Sequence, residues 1–382
     1  MQQYKQMIND IFENGTPKLP ARENMPCSIS LFGYQTKYDL SEGFPILTTR
    51  KISFKNVVTE LLWMLKGAGN IKYLVDNGCN IWNEDAYKYY VKIASKNTTI
   101  EANSIYFDNN DGTLRMFTFE EFVAKIKYFC FESFPKYGNY TLGDCPLGYE
   151  KWRKWDKVEI DFTEDGYIKE TRLSRVDQIH DLIQGLLHNP QKRNHLLTAY
   201  DPTYKDVALD PCHILAQFNC RPLDEHGRNW LIPGFEGFHC NYSLADLDKM
   251  NIPKYKLDCE LYQRSADSIL GVPYNTSSYA LLTHLLAKMC NMIPGIFIHS
   301  FGDLHIYNNH IKIWNENQAS REPMKLPTLK FSEKFEHFMC LFSTGYQIDT
   351  IIDSFDNNDF SLENYQAHQV IKYPLSTGLF LK

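Results

Sequence analysis

The amino-acid sequence predicts a mixed fold of helices and strands, α/β in the broad sense (α+β), in a single catalytic domain. Three observations predict it. Apolar residues recur at helical spacing in segments far apart in the chain, apolar runs of strand length lie between them, and no internal repeat or clear linker divides the 382 residues.

Taken in order, MQQYKQMINDIFENG reads as a polar-apolar helix and SISLFGYQTKYDL as a strand-rich hairpin region. A helix near Lys55–Lys66 carries Val58, Leu61, Leu62 and Leu65 at helical spacing and is closed by Gly67. Residues 87–142 are rich in Asn and Lys around the amphipathic piece FTFEEFVAKIKYF, and they read as an insertion. Next comes a helix capped by Ser174, with Val176, Ile179, Leu182, Ile183, Leu186 and Leu187 on one face, stopping at Asn189-Pro190. HLLTAYDP and CHILAQFNC read as buried strands, and residues 221–257 as a second, irregular insertion before the strand CELYQRS. After Asn275 a helix is expected, capped by Thr276 or Ser277, with Tyr279, Leu282, Leu285, Leu286 and Met289 facing inward. GIFIHSFGDLHIY is a further apolar strand with polar residues at its end.

Hydrophobic residues at 43% and charged ones at 23% provide for a large core. The 24 Tyr and 24 Phe suit stacking surfaces for planar ligands. A net charge of -6 excludes a protein that coats nucleic acid, although a local arginine cluster still suits a small anion. The N-terminal segment lacks the pattern of a signal peptide, and no stretch approaches the ~18 apolar residues of a membrane span. A cytoplasmic enzyme without membrane partners is expected. The ten cysteines show no CxxC pairing, so free thiols are expected and no metal.

Chemistry begins at Pro211-Cys212-His213. Most cysteines are plain buried thiols, and a reactive one needs a neighbouring cation to stabilise its thiolate. Arg264, in LYQRSAD, is the candidate, because this strand end concentrates polar groups.

The order of motifs adds more. PCHxxxQF, LYQRSAD, GVPYNTSSYALLTHLLA, GDLHIYNNH and SREP follow one another, preceded by SLFGYQ, GFPILTTRK, TELLWMLKGAGN and NIW and followed by YxxHxxIKYP. This series, over about two thirds of the chain, resembles the thymidylate synthase family. The resemblance implies a three-layer fold whose large mixed sheet packs back-to-back against that of a second subunit in a homodimer. It implies dUMP as substrate and 5,10-methylenetetrahydrofolate as cosubstrate. By their places in the motifs, Cys212 would attack C6 of the pyrimidine and so make C5 a carbon nucleophile. Glu60, in TELLW, would order water and shuttle protons. Tyr149, in LGYEKW, would stand near the C5 proton, although the local run is one residue shorter than the family's. Arg264, Ser265 and Arg22 would bind phosphate, joined by Arg193 from the other subunit. In PQKRNH the residue beside Arg193 is Asn194, so one phosphate contact of the family is either lost or supplied by Lys192. Asn275 would read uracil by accepting from N3–H and donating to O4. His305 and Tyr307 would bind the sugar 3′-hydroxyl, and Asp267, Gly271 and Trp82 would serve the folate.

Two outcomes share this machinery. Hydride transfer from the folate gives dTMP, whereas water attack gives 5-hydroxymethyl-dUMP. The tail IKYPLSTGLFLK replaces the family's short apolar ending, and Asp85 stands three residues after Trp82. Together with Asn194 and the insertions, this resembles the virus-encoded (bacteriophage) deoxyuridylate hydroxymethylases that supply a modified DNA base, which would act in the host cytoplasm. Hydroxymethylation is therefore the expectation and thymidylate synthesis the alternative, favoured by the retained Trp82. A non-catalytic nucleotide- or RNA-binding protein on the same fold is a third reading. It predicts loss of Cys212 or Asn275, and both are present.

Overall fold

A computed structural model describes residues 1–20, 25–96, 105–108, 114–128, 136–137, 139–232, 242–343, 345 and 347–376. These form two compact units. The first comprises Met1–Val58, Ile179–Leu197 and the described residues from Cys212 onward, and the second comprises Thr59–Gln178 and Thr198–Pro211.

The first unit is built on a mixed six-stranded sheet. Its strands are β1 (Thr16–Lys18), β2 (Ser28–Asp39), β3 (Leu196–Thr198), β4 (His213–Pro222), β5 (Tyr255–Asp267) and β6 (Ile293–Tyr307), in the spatial order β1-β2-β6-β5-β4-β3. Strands β5 and β6 run parallel, so a crossover must join them. Helix α4 (Gly271–Met289) supplies it, following α1 (Gln2–Asn14), α2 (Phe54–Leu65) and α3 (Gln178–His188) in the chain. The Leu281 and Leu282 side chains of α4 and Leu257, Leu261 and Phe297 of the strands are wholly buried. Apolar residues lie all round α4, as a core helix requires. Helix α1 buries Tyr4, Met7, Ile8 and Ile11, one turn-spaced stripe, and Tyr4 Oη donates to Ser268 O at 3.0 Å. Helix α5 (Asn308–Asn317) follows β6 directly.

In the second unit, Tyr87, Tyr90, Phe117 and Phe122 form an aromatic cluster between the helices Asn83–Ser95 and Phe119–Tyr128. A two-stranded ribbon, Trp155–Phe162 with Ile168–Val176, leads towards α3. Before it, Gly148 has φ +85°, and a Cβ there would stand 2.4 Å from Ala199 O. Gly148→Ala should therefore lower stability by on the order of 2 kcal/mol. A guanidinium unfolding curve with unchanged slope would report it as a lower midpoint, and an unchanged midpoint would refute the steric reading.

Several expectations need correction. SISLFGYQTKYDL forms one strand, β2, whose short antiparallel partner β1 precedes it. Ser174 caps nothing: it pairs with Lys157 in the ribbon, and α3 starts at Gln178. The strand expected from Cys259 begins at Tyr255, because Pro222, Arg221 and Cys220 extend β4 and pair with residues 255–257. Part of the second insertion is therefore sheet, and the rest holds the short helices Glu225–Asn229 and Leu244–Lys249. Helix α4 begins at Gly271, not after Asn275, since Pro273 falls in the first turn, where its missing N–H is no loss.

Candidate active site

Strand pairing assembles the site of the first unit. Cys212 lies half-buried just before β4, and its carbonyl accepts from Arg264 N at 2.9 Å. His213 pairs with Gln263, and the register shifts before Leu215, so the two sequence motifs PCH and QRSAD end side by side. On the other flank of β5, Ser265 pairs with Asp303 and Asp267 with His305. Gly302 permits this approach, since a Cβ there would meet Arg264 O at 2.8 Å and Tyr262 Oη at 2.9 Å.

The turn from β5 into α4 is held by Asp267, whose Oδ1 accepts from Ile269 N at 2.9 Å and Leu270 N at 3.1 Å. One turn into α4 stands Asn275. Its Oδ1 accepts from Gln263 Nε2 at 3.1 Å. A Cβ on Gly271 would make only ordinary contact, 3.4 Å from that oxygen and 3.8 Å from Asp267 Cβ.

Burial sets much of the electrostatics. It pushes the His213 imidazole down to about 4, with a smaller opposing effect of its hydrogen bond to Asn275. His213 is therefore neutral at pH 7, which leaves Arg264 as the cation adjoining Cys212 in the chain pairing. His305 Nδ1 lies 3.3 Å from Asp303 Oδ1, and its ring meets Tyr307 edge-on at 4.9 Å. That hydrogen bond from His305 holds the Asp303 carboxyl far below the usual range, with Lys18 and Ser30 (2.6 Å) adding to it. Asp303 thus fixes the imidazole orientation.

Residues 365–376 strap across the same unit. Tyr365 Oη donates to Leu47 O at 2.7 Å, and His368 exchanges backbone bonds with Thr48 O (2.9 Å) and Lys51 N (2.8 Å). Farther on, Tyr373 Oη donates to Gln318 Oε1 at 2.8 Å under the Arg50 guanidinium, and Pro374 O lies 2.8 Å from His310 Nε2. The different ending noted in the sequence lies mostly in residues 377–382, outside the described residues.

In the second unit Glu60 is 3% exposed and accepts from Trp82 Nε1 at 2.8 Å. Burial pushes its carboxyl up to about 7, partly opposed by that hydrogen bond. A carboxyl of this kind exchanges protons readily at neutral pH. Tyr149 opens the short 3-10 turn Tyr149–Trp152, is buried, and meets Trp152 edge-on at 5.9 Å.

Two expected residues stand apart. Arg22 lies outside the described residues. Arg193 is exposed between α3 and β3, beside exposed Lys192 and Asn194, and the contacts of the Cys212 constellation do not include it. Gln263, His299 and Asp303 join the constellation without having been singled out, and Thr276, read only as a helix cap, joins it too. Gln263 had a signal, its place directly before Arg264; His299 had none, because one His in an apolar strand reads as a core residue. Among the described residues, no group of three or more His, Cys, Asp or Glu is placed to hold a metal ion, and no helix is long and apolar enough to cross a membrane.

The family model described as "Thymidylate synthase" matches residues 2–377. The chain belongs to the thymidylate synthase family. It is similar to the thymidylate synthase of Listeria monocytogenes serotype 4b (strain CLIP80459), 37% identical over 381 residues, covering 98% of this chain and 100% of that protein. To the thymidylate synthase of Phytoplasma mali (strain AT) it is 34% identical, with 97% and 98% covered, and to that of Staphylococcus haemolyticus (strain JCSC1435) 36% identical, with 91% and 90% covered. The thymidylate synthase family uses 5,10-methylenetetrahydrofolate as cosubstrate. These relatives support the reading that the sequence placed second, thymidylate synthesis, and give none to hydroxymethylation.

Proposed function

We propose that this chain acts as a thymidylate synthase, converting dUMP to dTMP with Cys212 as nucleophile. The observation that carries the reading is the 2.9 Å backbone bond from Arg264 N to Cys212 O, which brings the Cys212 backbone beside the motif QRS. Cys212 adds to C6 of the pyrimidine, Arg264 and Ser265 hold the phosphate, and Asn275 reads the uracil edge. Charge-assisted bonds from guanidinium groups make the phosphate the anchor. His305 and Tyr307 take the sugar hydroxyl, and Glu60 moves protons and orders water, with Tyr149 near C5. When bound, the folate supplies the one-carbon unit and the hydride. The Asp267 carboxylate and Gly271 would hold its polar ring, and Trp82 would serve it by its place in the motif NIW. On this reading the chain is a single catalytic domain bearing insertions at 87–142 and 221–257. A homodimer, in which Arg193 reaches the other subunit's phosphate site, accords with aromatic surface on the sheet: Phe32 of β2 is 78% exposed and Tyr262 of β5 42%.

Purified protein given dUMP and methylenetetrahydrofolate should produce dTMP with an equal yield of dihydrofolate, read by absorbance and by the mass of the nucleotide. A hydroxymethylated nucleotide without dihydrofolate would overturn the choice and return the water-quenched reaction.

A further inference from the structure

Asn275 can favour uracil only if its amide is held one way round. A primary amide turned by half a rotation presents a carbonyl where it presented N–H groups, and that face would accept from the 4-amino group of cytosine instead of donating to O4 of uracil. Something must prevent the flip. In the first unit a buried chain of hydrogen bonds leads away from Asn275, and its polarity can be worked out from one atom.

That atom is the backbone carbonyl of Ser265, which only accepts. Gln263 Nε2 lies 3.0 Å from it and 3.1 Å from Asn275 Oδ1, so the nitrogen end of the Gln263 amide faces both. The oxygen end, Oε1, then faces His299 Nε2 at 2.8 Å, and since a glutamine oxygen only accepts, Nε2 must carry the imidazole proton. With the ring neutral, Nδ1 is left as an acceptor, and Thr276 Oγ1 lies 3.1 Å from it. His299, Thr276 and Gln263 are all buried, so water cannot replace a missing partner. Burial also keeps the His299 imidazole well below its usual protonation range, with His213 adding to this, so the proton pattern holds across neutral pH.

We propose that His299, with Thr276 behind it, is the positioning residue for pyrimidine discrimination: its Nε2–H fixes the Gln263 amide, which fixes Asn275 Oδ1 as the acceptor of the Gln263 N–H, so that the nitrogen end of Asn275 donates to O4 of uracil. The inference rests on the nucleotide reading above. It locates the choice between uracil and cytosine outside the residue that touches the base. His299 does not touch substrate.

The test compares dUMP and dCMP binding by calorimetry, alongside turnover, in wild type and three variants. His299→Phe keeps a ring in the space between Phe297 and Phe301, whose rings lie 5.5 and 4.0 Å from that of His299, but has no donor. It should cut the preference for dUMP over dCMP by roughly tenfold, the scale of one net hydrogen bond, chiefly through KM for the nucleotide. His299→Gln, which can donate from a similar place, should restore most of that preference. Thr276→Val should give a smaller loss in the same direction and serves if His299→Phe does not fold. A folded His299→Phe or Thr276→Val protein with the wild-type preference would overturn the inference. Wild-type protein that binds neither nucleotide would instead overturn the nucleotide reading, so the two failures are distinguishable.

Discussion

Replacing Cys212 with alanine is expected to lower kcat by at least about ten-thousandfold, because no other group takes over addition to C6. The loss should be chemical, not structural. The bond that ties this position to β5 uses the Cys212 carbonyl, which alanine retains. Cys212 is half-buried, so removing its sulfur opens little core. dUMP should still bind, as phosphate and base contacts come from other residues. Turnover followed by dihydrofolate absorbance, with calorimetric dUMP binding as the companion measurement, separates these effects. A variant that keeps more than about a hundredth of wild-type activity would be incompatible with covalent catalysis at this sulfur.

Glu60→Gln should move activity and stability in opposite directions. Turnover should drop by roughly a hundred- to ten-thousandfold, the range for loss of a positioned general acid–base. The neutral amide can still accept from Trp82 Nε1, so the local structure should persist. Stability follows from the carboxyl being raised from 4.5 to about 7 in the folded chain. The folded state then binds more protons than the unfolded one between these values, so the favourable contribution of neutral Glu60 is complete below about 4.5. It is lost as pH rises through about 7, where a buried charge must be carried. Glutamine carries no such charge, and at pH 8 the variant should be more stable by up to about 3 kcal/mol, with little difference at pH 4. Urea melts at the two pH values would show it. Equal stabilisation at both would mean that the wild-type carboxyl titrates normally. Activity of the wild type should carry an ionisation near neutrality that Glu60→Gln lacks.

Local pattern made some of this molecule legible, and tertiary use of polar groups hid the rest. The stripe Tyr4, Met7, Ile8 and Ile11 and the run from Val58 to Leu65 are helices where their spacing places them. Thr276 and Ser277 misled, because their hydroxyls look like caps and instead serve His299 and the carbonyls of Pro45 and Pro273. Upstream, Asp267 accepts from Ile269 N and Leu270 N in the turn before the helix, which itself begins without a side-chain cap. The ribbon carries a strand signal, Val158, Ile160 and Phe162 alternating with charged residues, that went unread. The constellation around Cys212 was visible in the order of its motifs, whereas the polarity of the chain behind Asn275 depends on which atoms face one backbone carbonyl.

The strap has a consequence for how the protein is made. Tyr365 bonds to Leu47 across 318 positions, and β2 pairs with β6 across more than 250, so contacts that complete the first unit join the opening of the chain to its close. Such pairings are slow to form and unavailable to a growing polypeptide. On the ribosome the β2 edge that faces β6 must wait unsatisfied until the more than 250 residues between them have been made, which makes nascent chains of this protein natural clients for chaperones.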